Sequence, residues 1–141
     1  MRFNANVFYI GDTGETTASG AAIRGLYQQS LPYSNPPILL IPGVENMRIL
    51  FGVRTGEQAL SYVPAGLSTT NTRFIESVRI GLLMVSDKAL GTQPDTNTYR
   101  LANQSIGPSS GTGATGATHD QDLRFRQAFN TTVKIRNRRI N

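Results

Sequence analysis

Apolar and polar residues alternate with period two along several stretches of this chain, and clusters of turn residues separate the stretches. Met47, Ile49, Phe51 and Val53 alternate with Asn46, Arg48, Leu50 and Gly52, which predicts a half-buried strand over 44–54. The strongest pattern covers 73–85. Phe74, Val78, Ile80, Leu82 and Met84 share one face with Glu76, while Ile75, Ser77, Arg79, Gly81, Leu83 and Val85 share the other. Both faces are apolar in the second half, so this strand is expected at the centre of its sheet. The run 38–41 is apolar throughout and closed by Pro42-Gly43, and it reads as a strand buried on both faces. Phe129, Thr131, Val133 and Ile135 alternate with Asn130, Thr132, Lys134 and Arg136, a terminal strand with one wet, basic face.

Shorter strands are predicted over 7–10 and 22–28, with a turn at Gly11-Asp12-Thr13-Gly14 between them. The stretches 58–71 and 87–98 read as loop, and 107–118 as a flexible Gly-rich loop. One short helix is expected over 120–128, with Thr118 or Asp120 as its N-cap and acids in its first turn. The expected architecture is mostly β: five or six antiparallel strands with a single short helix, in one globular domain over 1–141. Long helices do not alternate with the strands, which argues against a doubly wound sheet.

Composition narrows the chemistry. There is no Cys and one His, so disulfides, thiolate metal sites, cysteine nucleophiles and two-histidine sites are excluded. No apolar run approaches the ~20 residues of a membrane helix. Gly111-x-Gly113-x-x-Gly116 follows loop rather than strand and lacks the context of a nucleotide fingerprint. His119 beside Asp120 is the one candidate base, and no Gly-x-Ser-x-Gly elbow accompanies it. Glu45 and Glu76 sit on strands. They could do acid–base work only by converging, and the simpler expectation is that each accepts hydrogen bonds from a neighbouring Arg, such as Arg48 or Arg79, or from backbone amides. No catalytic, cofactor or metal residue is assigned. Arg124, Arg126, Lys134, Arg136, Arg138 and Arg139 concentrate six of the 14 basic residues near the C-terminus. A nucleic-acid contact through Lys134, Arg136, Arg138 and Arg139, with Phe125 and Phe129 as stacking platforms, is the alternative to a solvated basic face.

Several segments carry text that resembles a known family. Gly43-Val44-Glu45-Asn46-Met47 running into Phe51-Gly52-Val53 resembles the central motif of the PilW family of minor type IV pilins. Val78-Arg79-Ile80-Gly81-Leu82-Leu83 is similar to that family's next strand. Asp122-Leu123-Arg124, Phe129-Asn130-Thr131-Thr132-Val133 and Arg136-Asn137-Arg138 are similar to its ending. Asn6-Val7-Phe8-Tyr9-Ile10 and Leu26-Tyr27 also fall where that family has strands. The chain departs from the pattern in lacking a prepilin cleavage site, a long apolar N-terminal helix, a cysteine pair and a tryptophan before the Val-Arg-Ile strand.

The resemblance implies an α+β pilin-like fold, here a C-terminal headgroup without its N-terminal helix. It implies a structural, non-enzymatic role: a minor pilin, similar to the J-type pseudopilin of type II secretion, that primes pilus assembly at or near the tip. Implied partners are other minor pilins, pseudopilin-like subunits and a tip adhesin. The implied location is a periplasmic headgroup anchored in the inner membrane through the missing helix, then extracellular in the pilus. Gly43, Val44, Glu45, Asn46 and Met47 are the implied structural motif. A sheet apolar on both faces needs a covering layer on each side, so an uncovered apolar patch and self-association are expected of this chain.

Overall fold

The computed structural model describes residues 5–31, 35–54, 59–65, 75–109 and 116–135, and the described residues form strands without a helix. β1 (Ala5–Thr16) and β2 (Ala22–Leu31) make a long hairpin, and β3 (Ile38–Pro42) pairs with the other edge of β2. β4 (Val44–Val53) begins a second sheet with β5 (Ser61–Pro64) and β6 (Ile75–Ala89). β7 (Tyr99–Leu101), β8 (Gln104–Pro108) and β9 (Thr118–His119) form a small third sheet, in which β8 and β9 are parallel. β10 (Arg124–Lys134) returns to pair with β6, giving the second sheet the order β10-β6-β4-β5.

One residue turns the chain from the first sheet into the second. Gly43 has φ of 75°, its N–H donates to the Arg24 carbonyl, and its carbonyl accepts from the Val85 N–H. It therefore ties β2 to β6 while changing strand direction. A Cβ at this position would lie 2.6 Å from the Val85 carbonyl oxygen, so the conformation and the close approach both require glycine.

The register of β10, β6 and β4 assigns two faces to the second sheet. Phe129, Leu82 and Met47 lie in one row, and Thr131, Ile80 and Ile49 in the next, followed by Val133, Val78 and Phe51. The opposite face carries Arg126 and Val85, then Ala128, Leu83 and Asn46, then Asn130, Gly81 and Arg48. The third sheet packs on that second face. Leu83, Leu101 and Ile106 form its buried core, with Tyr99, Ala117 and Ala128 against them. Gly81 permits the approach, because a Cβ there would meet the Ala102 nitrogen at 3.1 Å and the Leu101 Cα at 3.2 Å.

The central position of 75–85 matches the alternation, and β4 forms where expected, but its fully buried Leu50 lies on the face shared with Asn46 and Arg48, while Met47, Ile49 and Phe51 are only partly buried. Four other expectations need correction. The helix over 120–128 does not form. Asp122 Oδ1 accepts from the Arg124 N–H two residues on, so an acid expected in the first helical turn instead builds a local turn ahead of a strand. The run 38–41 is not buried on both faces: it is an edge strand, and Ile38 to Ile41 are all exposed, Ile38 by 60%. The turn at 11–14 is an irregularity inside β1, where Asp12 Oδ1 accepts from the Gly14 N–H and the strand continues to Thr16. Short strands also occupy parts of the stretches read as loop, at β5 and at the two ends of the 107–118 segment. Residues 110–115 of that segment lie outside the described residues.

Candidate functional site

The second face of the β10-β6-β4-β5 sheet closes over a cluster of ionised groups. β10 aims Arg124 and Arg126 inward, and the Arg126 side chain has no solvent exposure. Its guanidinium forks onto Glu45, with Nε donating to Oε2 at 2.8 Å and Nη2 to Oε1 at 3.0 Å. Nη1 donates to Asp122 Oδ1 at 2.7 Å and to Asp95 Oδ2 at 3.4 Å. Arg124 bridges Glu45 and Asp122 beside it. Two arginines thus hold three carboxylates supplied by β4, by the loop after β6 and by the turn before β10. A planar donor fork matches carboxylate geometry, which makes this arrangement tighter than a set of point charges.

Burial works against ionisation of Asp122, but hydrogen bonds from Arg126 and Arg124 outweigh it and bring its pKa from 3.8 to about 2. Burial likewise opposes the charge on Arg126, and the hydrogen bonds to Glu45 and Asp122 override it, holding the guanidinium above its ordinary value. Asp95 feels burial first, yet the Asn97 N–H and the Tyr99 hydroxyl keep it below the usual carboxylate range.

His119 completes the cluster. Its side chain is buried, Nδ1 lies 2.9 Å from the Asp120 carbonyl oxygen, and Nε2 lies 2.8 Å from that of Asn97. Both ring nitrogens are engaged by main chain, so the ring pins β9 to the Asn97 loop rather than facing a substrate. A polar cleft of about 280 Å³ runs past Arg24, Glu45, Asn46, Thr118, His119 and Arg124. Asp120 also lines it, and the Glu45 carboxylate and the His119 ring are both occupied by these internal bonds. Among the described residues, no group of three or more His, Asp or Glu side chains is placed to hold a metal ion.

The five residues of the central motif have separable positions. Gly43 turns the corner and Val44 is fully buried beside it. Glu45 receives both arginines, Asn46 lines the cleft, and Met47 joins the opposite face. Glu45 does have arginine partners, but they are Arg124 and Arg126 rather than Arg48 or Arg79. Glu76 lies elsewhere, paired with Arg54 at 2.9 Å, so the two strand carboxylates do not converge. The basic stripe is divided: Arg124 and Arg126 are consumed internally, Lys134 is exposed near the end of β10, and Arg136, Arg138 and Arg139 lie outside the described residues. The sequence reading missed Arg126 as a structural centre. Period two places Arg126 on one side with Arg124 and Ala128, but nothing in the sequence marks that side as the inward one.

The first face is the reverse in character. Val78, Ile80, Leu82 and Met84 of β6 lie beside Met47, Ile49 and Phe51 of β4, with Phe129 and Val133 of β10 along the margin. Phe129 is 51% and Val133 53% exposed. No helix among the described residues is long and apolar enough to cross a membrane.

Residues 7–137 match the family described as "Type IV Pilus-assembly protein W". No curated protein and no solved structure matches the chain.

Proposed function

Because the chain belongs to the type IV pilus-assembly protein W family, we propose that it is a minor pilin headgroup that primes assembly at or near the pilus tip, in a complex with other minor pilins. Association with type IV pilus assembly follows from the family, which is structural in general. The observation that supports the finer reading is the open apolar face of the β10-β6-β4-β5 sheet. Four strands at about 4.8 Å spacing present a face roughly 14 Å between outer strands, wide enough to seat one helix about 10 Å across. A sheet face lined by Val78, Ile80, Leu82, Met47, Ile49 and Phe51 gains by covering, since apolar surface removed from water stabilises by about 25 cal/mol per Å².

In this reading the face packs against an apolar helix of a pilus subunit, and the ionic cluster behind it keeps the sheet rigid while that contact forms. The Gly43–Met47 segment serves both sides, since Glu45 anchors the cluster and Met47 reaches the open face. The periplasmic location of the headgroup before incorporation belongs to the same proposal. Deleting the gene and counting surface pili by electron microscopy tests it. Loss of pili, restored by the gene in trans while the major subunit remains abundant in the membrane, is the expected result. Undiminished piliation in the deletion strain would overturn the reading.

A further inference from the structure

The face that carries the ionic cluster changes character toward its other end. Three successive rows of the register place Arg48 opposite Gly81, Arg79 between Leu50 and Thr132, and Lys134 opposite Ser77. The three cations therefore fall on a diagonal across β4, β6 and β10. With strands about 4.8 Å apart and two residues rising about 6.7 Å, successive cations stand on the order of 8 Å apart. No acidic residue occupies these rows.

Among the described residues, none of the three cations has a carboxylate partner. Arg48 Nε is buried and has no hydrogen-bond partner among the described residues. Arg79 lies 3.8 Å from the Tyr62 ring centroid and donates to Thr132 Oγ1 at 3.4 Å, contacts that orient the guanidinium without neutralising it. Tyr62 is itself fixed by the Ser77 hydroxyl at 3.2 Å. Lys134 is exposed. An orphaned buried donor costs stability that a bound acceptor restores, so this end is arranged for an anion.

We infer that the Arg48–Arg79–Lys134 diagonal is a docking site for an extended, carboxylate-bearing segment of a partner protein. This goes beyond the apolar contact and rests on the assembly reading only for the partner being a protein. An extended segment repeats its side chains on one side every ~6.7 Å, close to the spacing of the cations. Guanidinium forks suit carboxylates. Single-stranded nucleic acid fits less well, because the one aromatic ring on these rows is already covered by Arg79. Phe129, which could stack a base, lies on the opposite face.

The test is fluorescence anisotropy of labelled poly-L-glutamate titrated with the purified chain at low and moderate salt. Saturable binding that weakens with salt is expected, with affinity lowered by about tenfold or more in the Arg48→Met, Arg79→Gln double variant. Arg48→Met alone is expected to weaken binding without lowering the melting temperature, since it also removes the orphaned donor. The exposed Lys134→Gln provides a further variant that makes no internal bond. Equal affinity of all variants, or tighter binding of a single-stranded oligonucleotide of matched charge, would overturn the inference. A deletion strain lacking pili together with no polyglutamate binding would sink this site and leave the assembly role standing. Normal piliation together with variant-sensitive binding would do the opposite.

Discussion

The two faces of one sheet invert the usual rule for charge and apolarity. On β10, Arg126 is 2% exposed and Arg124 6%, while Phe125 is 62% and Phe129 51% exposed. Charged residues are rarely buried unless fully paired, and here the pairing is complete, with Arg126 bonded to Glu45, Asp95 and Asp122. An exposed row of large apolar residues has no such internal compensation. The closed face accounts for how the domain holds its shape, and the open face is left for something outside the described residues to cover. If this division holds, substitutions in the ionic cluster of the closed face act on stability and substitutions on the open face act on assembly.

The largest effect is expected at Arg126. Arg126→Leu leaves Glu45, Asp95 and Asp122 without their shared counter-charge and should destabilise by about 3–5 kcal/mol in urea unfolding. A loss below 1 kcal/mol would mean that the cluster is incidental. Gly43→Ala follows, because a non-glycine residue is strained at φ of 75° and its Cβ would press on the Val85 carbonyl. About 2 kcal/mol or more is expected, read as a lower denaturation midpoint with an unchanged slope.

Asp122 gives a pH-dependent version of the same contrast. Its pKa is depressed from 3.8 to about 2, so its stabilisation is complete above the unfolded value and is lost as pH falls from about 4 to about 2. The contribution is on the order of 2 kcal/mol. Asp122→Asn should lose that stability at pH 7 and show a shallower decline between pH 4 and 2, as measured by thermal unfolding across the range. The smallest effect on stability is expected on the open face, where Phe129→Ser should change it by about 0.5 kcal/mol or less.

The strands, and which residues share a face, were largely legible because β4 and β6 obey a period of two with few interruptions. The ionic cluster was not legible, because Glu45 lies 79 and 81 residues from Arg124 and Arg126, and period two does not say which face points inward. Arg124-Phe125-Arg126 looks like an ordinary strand with wet arginines, and only the fold reverses it. The false helix came from reading Thr118 or Asp120 as a cap followed by first-turn acids, whereas the Asp122 carboxylate bonds a backbone N–H in a turn ahead of a strand. The edge position of β3 was hidden for a similar reason. A short all-apolar run reads as interior whether or not a layer lies over it, and Ile38 to Ile41 have none among the described residues.

The central claim is that the open apolar face is an assembly surface rather than a tolerated flaw. Replacing Phe129 and Val133 together by Asp places two charges on that face at positions already half exposed. In a strain whose only copy carries this pair, the account predicts normal protein levels, an unfolding midpoint within a few degrees of the parent and loss of surface pili. Normal piliation by a folded variant would contradict it.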